Sequence, residues 1–386
     1  MVLIMESYNC KVSKRCGGCQ LSNLSYEEQL EYKQRQLNSL LGGFSRVNKI
    51  IGMENPLRYR NKAQAAFYFD FKRQRTASGI YQSNSKSIVP VDSCLLENEN
   101  ADRIIVTVRR LCDSFKLKPY DIKKGYGFVR HILVRNAVKT GEIMVVIVTA
   151  TPAFPSKNNF VKALLSAHPE ITTVIHNVNN SDINLMLGER STVLYGKGYI
   201  EDELCSLKFR ISPSSFYQVN PSQCEVLYNK VIELAGLTGS ETVFDSYCGT
   251  GTIGLIASKS AKQVLGVEVN RAAVKDAIIN AKQNGIKNIY FTCDDAGEYL
   301  EYITGEGERF DVVIMDPPRA GSTVKFLKSV VKAEPKRVIY VSCNPVTLKR
   351  DLEFLVAHGF RVGEIQGVDM FPFTKHVETV CVLNKV

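Results

Sequence analysis

The sequence predicts an α/β protein in two parts. A mostly parallel sheet covered by helices is expected over residues 205–386, preceded by a smaller α+β domain over residues 1–204. Three observations predict this. Beyond about residue 205, short apolar runs alternate with helical patterns, as repeated strand–helix–strand units require. From about 58 to 204 the pattern is strand-rich instead. At 386 residues the chain is long enough for two or three separate cores.

Composition narrows the class. The chain is 45% hydrophobic and 23% charged, ordinary for a globular protein. It has no run of eighteen apolar residues, so no membrane span is expected. Residues 1–5 are apolar but too short for a signal peptide and lack a basic leader. Eleven cysteines without an export signal point to reduced thiols, metal ligation or catalysis in a cytoplasmic protein. The net charge is +10, and residues 1–90 hold fourteen Lys and Arg against six Asp and Glu. A basic N-terminal region on a nearly neutral body suggests a polyanion partner, most simply nucleic acid.

In order along the chain, residues 1–24 are polar and cysteine-rich. Residues 25–41 are expected to form a helix, with Ser25 and Glu28 as a capping box, Leu30, Leu37 and Leu41 on one face, and Gly42-Gly43 ending it. This helix is a candidate to pack on the C-terminal domain. Strands are expected at 63–71, 128–138 and 143–150, with helices near 97–114 and 157–167. In the C-terminal part, strands are expected near 242–245, 263–267, 288–292, 312–315, 337–342, 361–368 and 377–383, with helices separating the first six. Ligands of such sheets sit beyond the C-terminal strand ends. Asp245, Glu268, Asp316 and Cys343 all fall there.

The loop Asp245-Ser246-Tyr247-Cys248-Gly249-Thr250-Gly251-Thr252-Ile253-Gly254 joins the first of these strands to its helix. Gly249 and Gly251 let backbone approach a ligand closely. Glu268, ending the second strand, can accept hydrogen bonds from the ribose hydroxyls of an adenosine, which suits NAD or S-adenosylmethionine. Asp316-Pro317-Pro318-Arg319 and Cys343 favour the methyl donor, because hydride transfer needs neither.

Methyl transfer to an exocyclic amine often uses an aromatic after Asp-Pro-Pro, and Arg319 stands there instead. Methylation at C5 of a pyrimidine calls for a thiolate that adds at C6, then a general base that removes the C5 proton. Cys343 fits the first role, provided that its pKa is lowered. Glu378, in Lys375-His376-Val377-Glu378-Thr379, is the candidate base, and His376 competes for the same task.

These residues resemble the RNA uracil-5-methyltransferase family, in its iron–sulfur-containing branch that modifies 23S ribosomal RNA. The shared pieces are Ser215-Phe216-Tyr217-Gln218-Val219-Asn220-Pro221, the Asp245–Gly251 loop, Gly266-Val267-Glu268, Asp316-Pro317-Pro318-Arg319-Ala320-Gly321, Ser342-Cys343-Asn344-Pro345 and His376-Val377-Glu378-Thr379. The resemblance implies a Rossmann-like S-adenosylmethionine-dependent methyltransferase domain, with Cys343 as nucleophile and Glu378 as base. It implies that Gln218, Tyr247, Glu268 and Asp316 line the S-adenosylmethionine site, with Asp316 also near the base. Thr252 and Asp294 or Asp295 are further carry-overs. The RNA cytosine-5 relatives carry their nucleophile where Arg319 stands, so uracil is favoured.

Cys10, Cys16 and Cys19, with Cys94, also match this branch. Four thiolates can hold zinc or a [4Fe–4S] cluster. The resemblance points to the cluster, with a structural or RNA-positioning role. Cys112, Cys205, Cys224, Cys248, Cys293 and Cys381 are expected to be ordinary packed thiols. The family's usual N-terminal β-barrel (TRAM) domain is expected to be absent. RNA gripping is then expected from Arg58, Arg60, Lys62, Lys72, Arg73 and Arg75, with Phe67, Tyr68, Phe69 and Phe71 interleaved. The expected partner is 23S rRNA, with a tRNA uridine as the alternative and no protein partner implied. Two rivals stand beside this: a methyltransferase acting on an amine or on cytosine, and a cluster-bearing RNA-binding protein with a degenerate methyltransferase domain.

Overall fold

A computed structural model of the chain describes residues 10–83, 85, 87–181 and 186–386. Its elements begin with a short helix α1 (Ser13–Cys16) and a long helix α2 (Tyr26–Leu41). Next come β1 (Lys62–Asp70), β2 (Arg75–Tyr81), β3 (Ile88–Pro90), α3 (Glu99–Ser114), β4 (Val129–Asn136), β5 (Ile143–Thr149), α4 (Lys157–Ala167), β6 (Ile171–Val178) and β7 (Arg190–Tyr195). A two-stranded ribbon, β8 (Ile200–Leu204) and β9 (Leu207–Ile211), follows. The remainder alternates: α5 (Pro221–Ala235), β10 (Thr242–Ser246), α6 (Thr252–Ala257), β11 (Gln263–Val267), α7 (Arg271–Gln283), β12 (Ile289–Thr292), α8 (Ala296–Gly305), β13 (Val312–Met315), α9 (Val324–Ala333), β14 (Arg337–Ser342) and α10 (Pro345–Ala357). Two final strands are β15 (Phe360–Val368) and β16 (Glu378–Lys385). Among the described residues no helix is long and apolar enough to cross a membrane.

The chain divides into two compact units. One comprises Asn55–Glu203 and Arg210–Ser214 with the segment ending at Asn23; the other comprises Leu24–Glu54, Leu204–Phe209 and Ser215–Val386. This differs from a single cut after residue 204, because Leu24–Glu54 brings α2 into the second unit. The reason is apolar: Leu37 and Leu41 are fully buried in that unit's core beside Phe326, Leu352 and Ile365. Each such leucine contributes roughly 1.5–3 kcal/mol of burial. The helix starts on the expected capping box, Ser25 Oγ accepting from Glu28 N and Glu28 Oε2 from Ser25 N.

The first unit is a seven-stranded sheet in the order β3-β2-β1-β4-β5-β6-β7, antiparallel except for β5 and β6. Helices α3 and α4 cover one face, where Ile104, Val108, Phe160 and Leu164 meet Ala63, Ala65 and Phe67.

The second sheet runs β12-β11-β10-β13-β14-β16-β15. Six strands run in one direction, and β16 lies antiparallel between β14 and β15. Successive crossovers run outward from β10 in one direction and from β13 in the other. The crevice between their C-terminal ends is thus where a ligand of a doubly wound sheet binds.

Candidate active site

Every expected catalytic and cofactor residue lies in the second unit, at the C-terminal rim of its sheet. The decisive element is β16. Because it runs against β14, its start lies beside the end of β14, with Ser342 paired to Thr379. Glu378 and Cys343, adjacent to that pair, therefore stand at one rim although 35 positions separate them in the chain. A parallel β16 would have put Glu378 at the opposite end.

Cys343 sits between β14 and α10. Asn344 caps α10, its Oδ1 accepting from Val346 N at 3.2 Å, and its Nδ2 donates to the Arg319 carbonyl at 3.0 Å. The Asp-Pro-Pro-Arg loop is thus tied to the Cys343 turn. Arg350 adds to the tie through the Ala320 and Ser322 carbonyls, and Asp351 accepts from Ser322 N at 2.7 Å and from the Tyr340 hydroxyl at 2.6 Å. Gly321 has φ +79°, and a Cβ there would lie 2.5 Å from Arg350 Nη2, so the tie needs glycine.

The electrostatics at this rim differ from the expected lowered thiol. Burial and the charges of Glu378 and Asp316 push Cys343 up to about 11, with Arg319 opposing. Burial and Asp316 likewise raise Glu378 to about 8, again with Arg319 opposing. Asp316 rises to about 7 through burial. Burial first, and then two carboxyls against one guanidinium, hold the Cys343 thiol up rather than lowering it. Glu378, by contrast, is poised near neutrality, as suits a general base. His376 stands edge-on to Phe371, with ring centroids 6.4 Å apart.

The cofactor loop is built as a cradle. Tyr247, Gly249 and Gly251 all have positive φ, at 59°, 56° and 80°. A Cβ on Gly249 would meet nothing within 4 Å, so space opens there, whereas one on Gly251 would strike Phe291. Both oxygens of Glu268 are fixed by backbone donors, Gly249 N at 3.1 Å and Asn270 N at 2.8 Å. Each oxygen keeps a lone pair for ribose hydroxyls. The Tyr247 hydroxyl lies 3.1 Å from Ser322 Oγ, and its ring edge meets Phe326. These features fit an adenosine-bearing methyl donor.

Gln218 hydrogen-bonds Tyr228, a buried phenol that feels the charge of Asp316. Thr252 opens α6, its hydroxyl 3.4 Å from that of Thr250. Asp295 acts on Tyr247 by charge, but its Oδ1 caps α8 through Gly297 N and Glu298 N. Asp294 Oδ1 accepts from Asp295 N.

Two residues placed in the sequence carry electrostatic roles that it did not reveal. Burial and the charges of Asp316 and Glu268 raise Asp245 to about 8, despite a hydrogen bond from Gly254, and its Oδ2 is buried without a partner. Arg319, weighed only as the absence of an aromatic or a cysteine, is the cation acting on both Cys343 and Glu378. Its position after Asp-Pro-Pro was the available signal.

Cys10, Cys16, Cys19 and Cys94 belong to the first unit. Burial and then the neighbouring Cys94, Cys16 and Cys10 push Cys19 up to about 12. Backbone N–H groups reach two of the sulfurs, from Gly18 to Cys16 and from Leu96 and Glu97 to Cys94. Among the described residues, however, no group of three or more His, Cys, Asp or Glu is arranged to hold a metal ion. The set fits a cluster in donor type and neighbourhood but is not gathered around an ion. Of the remaining cysteines, Cys112, Cys224, Cys248 and Cys381 are buried, Cys205 is half-buried, and Cys293 is exposed rather than packed.

The expected RNA-gripping stretch is also only partly exposed. Arg58 is held by Asp102 and by the Cys94 and Glu97 carbonyls, and Arg60 and Lys62 are half-buried. Lys72, Arg73, Arg75 and Phe71 are exposed, while Phe67 is core.

Comparison with known proteins agrees with this site. Residues 166–386 match the family model described as tRNA (uracil-5-)-methyltransferase. An uncharacterised RNA methyltransferase of Caldanaerobacter subterraneus is 43% identical, covering 98% of this chain and 84% of the relative. One of Halalkalibacterium halodurans is 42% identical, covering 97% and 82%. The crystal structure of Pyrococcus abyssi tRNA (uracil-54, C5)-methyltransferase with S-adenosyl-L-homocysteine matches with a TM-score of 0.80 and 30% identity, covering 95% of this chain and 85% of that one. The chain therefore belongs to the tRNA (uracil-5-)-methyltransferase family and is an S-adenosylmethionine-dependent RNA uracil-5-methyltransferase.

Proposed function

We propose that this cytoplasmic enzyme methylates C5 of a uridine in 23S ribosomal RNA through a covalent adduct between Cys343 and C6. The observation that supports the mechanism is the pairing of Ser342 with Thr379, which sets a thiol and a carboxyl at one rim. S-adenosylmethionine, cradled by Tyr247, Gly249, Gly251 and Glu268 with Gln218, Thr252, Asp295 and Asp316 around it, supplies an electrophilic methyl group. Cys343 loses its proton to solvent and adds at C6, which makes C5 nucleophilic. Arg319 favours the thiolate against the two carboxyls. C5 takes the methyl group as the S–CH3 bond breaks and S-adenosylhomocysteine leaves; Glu378 as carboxylate then removes the C5 proton, and elimination releases the Cys343 thiolate. The target base is unstacked, since C6 is hard to reach in a duplex.

A [4Fe–4S] cluster on Cys10, Cys16, Cys19 and Cys94 belongs to the same reading, as a structural or RNA-positioning element. Its support is the shared neighbourhood of the four thiols and the backbone donors on Cys16 and Cys94. A tRNA uridine is the second reading, favoured by the likeness to the P. abyssi enzyme, whose name specifies uracil 54 of tRNA.

The test is to incubate the enzyme with total RNA from a deletion strain and map the 5-methyluridine restored. Cys343→Ala should give neither product nor adduct. Glu378→Gln should lower turnover about 10²–10⁴-fold and leave a protein–RNA band under denaturing conditions. Full activity of Cys343→Ala would sink the covalent mechanism, and product in tRNA alone would overturn the ribosomal target.

A further inference from the structure

Among the described residues no helix covers the other face of the first unit's sheet, and that face holds a groove of about 990 Å³. Side chains alternate along a strand. In β1, Ala63, Ala65 and Phe67 face the helices, so Gln64, Ala66 and Tyr68 turn toward the groove. Tyr81 and His131 stand across it, with the Tyr81 hydroxyl 3.3 Å from His131 Nε2. A turn between α3 and β4 forms its margin, where Asp121 pairs with Tyr126. That turn depends on glycine: at Gly127, with φ +121°, a Cβ would lie 2.1 Å from the Pro119 carbonyl.

Two properties of the groove go together. Large apolar side chains are exposed around it: Phe71 by 66%, Tyr126 by 61%, Tyr81 by 52% and Ile122 by 52%. Such exposure concentrated on one concavity marks a binding surface. Lysines are interleaved with the rings, Lys118 Nζ lying 5.8 Å from the Tyr126 centroid and Lys124 Nζ 5.5 Å from that of Phe71. Lys123 is exposed on the same margin. Among the described lining residues the one carboxylate, Asp121, is engaged by the Lys123 and Lys124 amides. Rings for base faces and ammonium groups for phosphates are the two components of a single-strand nucleic-acid site.

We propose that this groove is a second RNA site, which takes a short run of unpaired nucleotides of the substrate by stacking on Phe71 and Tyr126 and by phosphate contacts to Lys118, Lys123 and Lys124. It rests on the reading that RNA is the substrate, and it extends RNA recognition beyond the residues around Cys343. The occupant is RNA rather than a protein segment because the surround is cationic and the enzyme already acts on a polyanion.

The experiment uses the full-length enzyme and a fluorescently labelled, mixed-sequence single-stranded RNA of about twelve nucleotides. Phe71→Ala and Tyr126→Ala should each weaken Kd about tenfold, as the loss of one stacked base does. The triple variant Lys118→Ala, Lys123→Ala, Lys124→Ala should reduce the slope of log K against log salt by about 2, the signature of three lost phosphate contacts. Photocrosslinking the parent to the same RNA should label peptides containing Tyr126 or Tyr81. All five substituted residues are exposed, so the variants should fold, and S-adenosylmethionine affinity serves as the control. Unchanged Kd and salt slope in variants of a parent that binds RNA would overturn the proposal. So would a solution dimer of the parent that Tyr126→Ala dissolves. A parent that binds this RNA but restores no 5-methyluridine would instead count against the proposed function, and the two failures can be told apart.

Discussion

As the proposed base, Glu378 carries two requirements that act against each other. A base needs its charged form, yet burial and Asp316 hold the carboxyl up to about 8, against an ordinary value of 4.5. Between those values the folded chain keeps a proton that the unfolded chain releases. Protonation therefore stabilises the fold fully below about 4.5, and this contribution is lost as pH rises through about 8. Glu378→Gln cannot ionise. Without cofactor it should melt at the parent's temperature at pH 5 and above it at pH 9, measured by calorimetry. Equal melting at pH 9 would show that the carboxylate is not strained. Asp245 and Asp316 shift in the same direction, so the variant keeps part of the slope. Cys343 and Glu378 were legible as residue types in a known pattern. The rise of the thiol was not, because burial, and then the carboxyls that face it, are set by the fold in space.

At the scale of elements, α2 shows what local pattern can and cannot give. Ser25, Glu28 and the leucine spacing mark the helix and its apolar face. That pattern says nothing of Gln29 and Lys33, polar residues that are both fully buried. Lys33 Nζ donates to Asp369 Oδ1 at 2.6 Å and to the Phe371 carbonyl at 3.1 Å, and Gln29 Oε1 accepts from Phe373 N at 2.7 Å. The helix thus holds the loop that leads into β16. Leu37→Ala should cost about 2–5 kcal/mol in chemical denaturation and leave turnover intact below its melting range. Lys33→Ala should cost about 3–5 kcal/mol by stranding Asp369, and should lower kcat as well. Equal kcat in the two variants would show that the buried pair only stabilises. Strand β2 was missed for a related reason: Gly79 interrupts its pattern, yet a Cβ there would lie 1.9 Å from the Val89 carbonyl of β3.

For the whole molecule, order along the chain revealed two architectures but not their membership, since Leu24–Glu54 joins a unit whose bulk begins at Ser215. The cysteine set and the methyl-transfer rim lie in different units, and this division gives a prediction. In anaerobically purified protein, Cys94→Ser should lose iron and sulfide and lower the melting of the first unit, while S-adenosylmethionine affinity is retained. A parent without iron would remove the cluster from the reading. The β16–β14 ladder has one further consequence. Side chains along a strand point alternately to opposite faces, so pairing has a parity as well as a position. A residue gained or lost between Asp369 and Val377 can be absorbed by the loop. The same change inside β16 turns Glu378 to the other face of the sheet. Its site of attachment behaves like a switch with two settings, and sequence drift there meets a step rather than a slope.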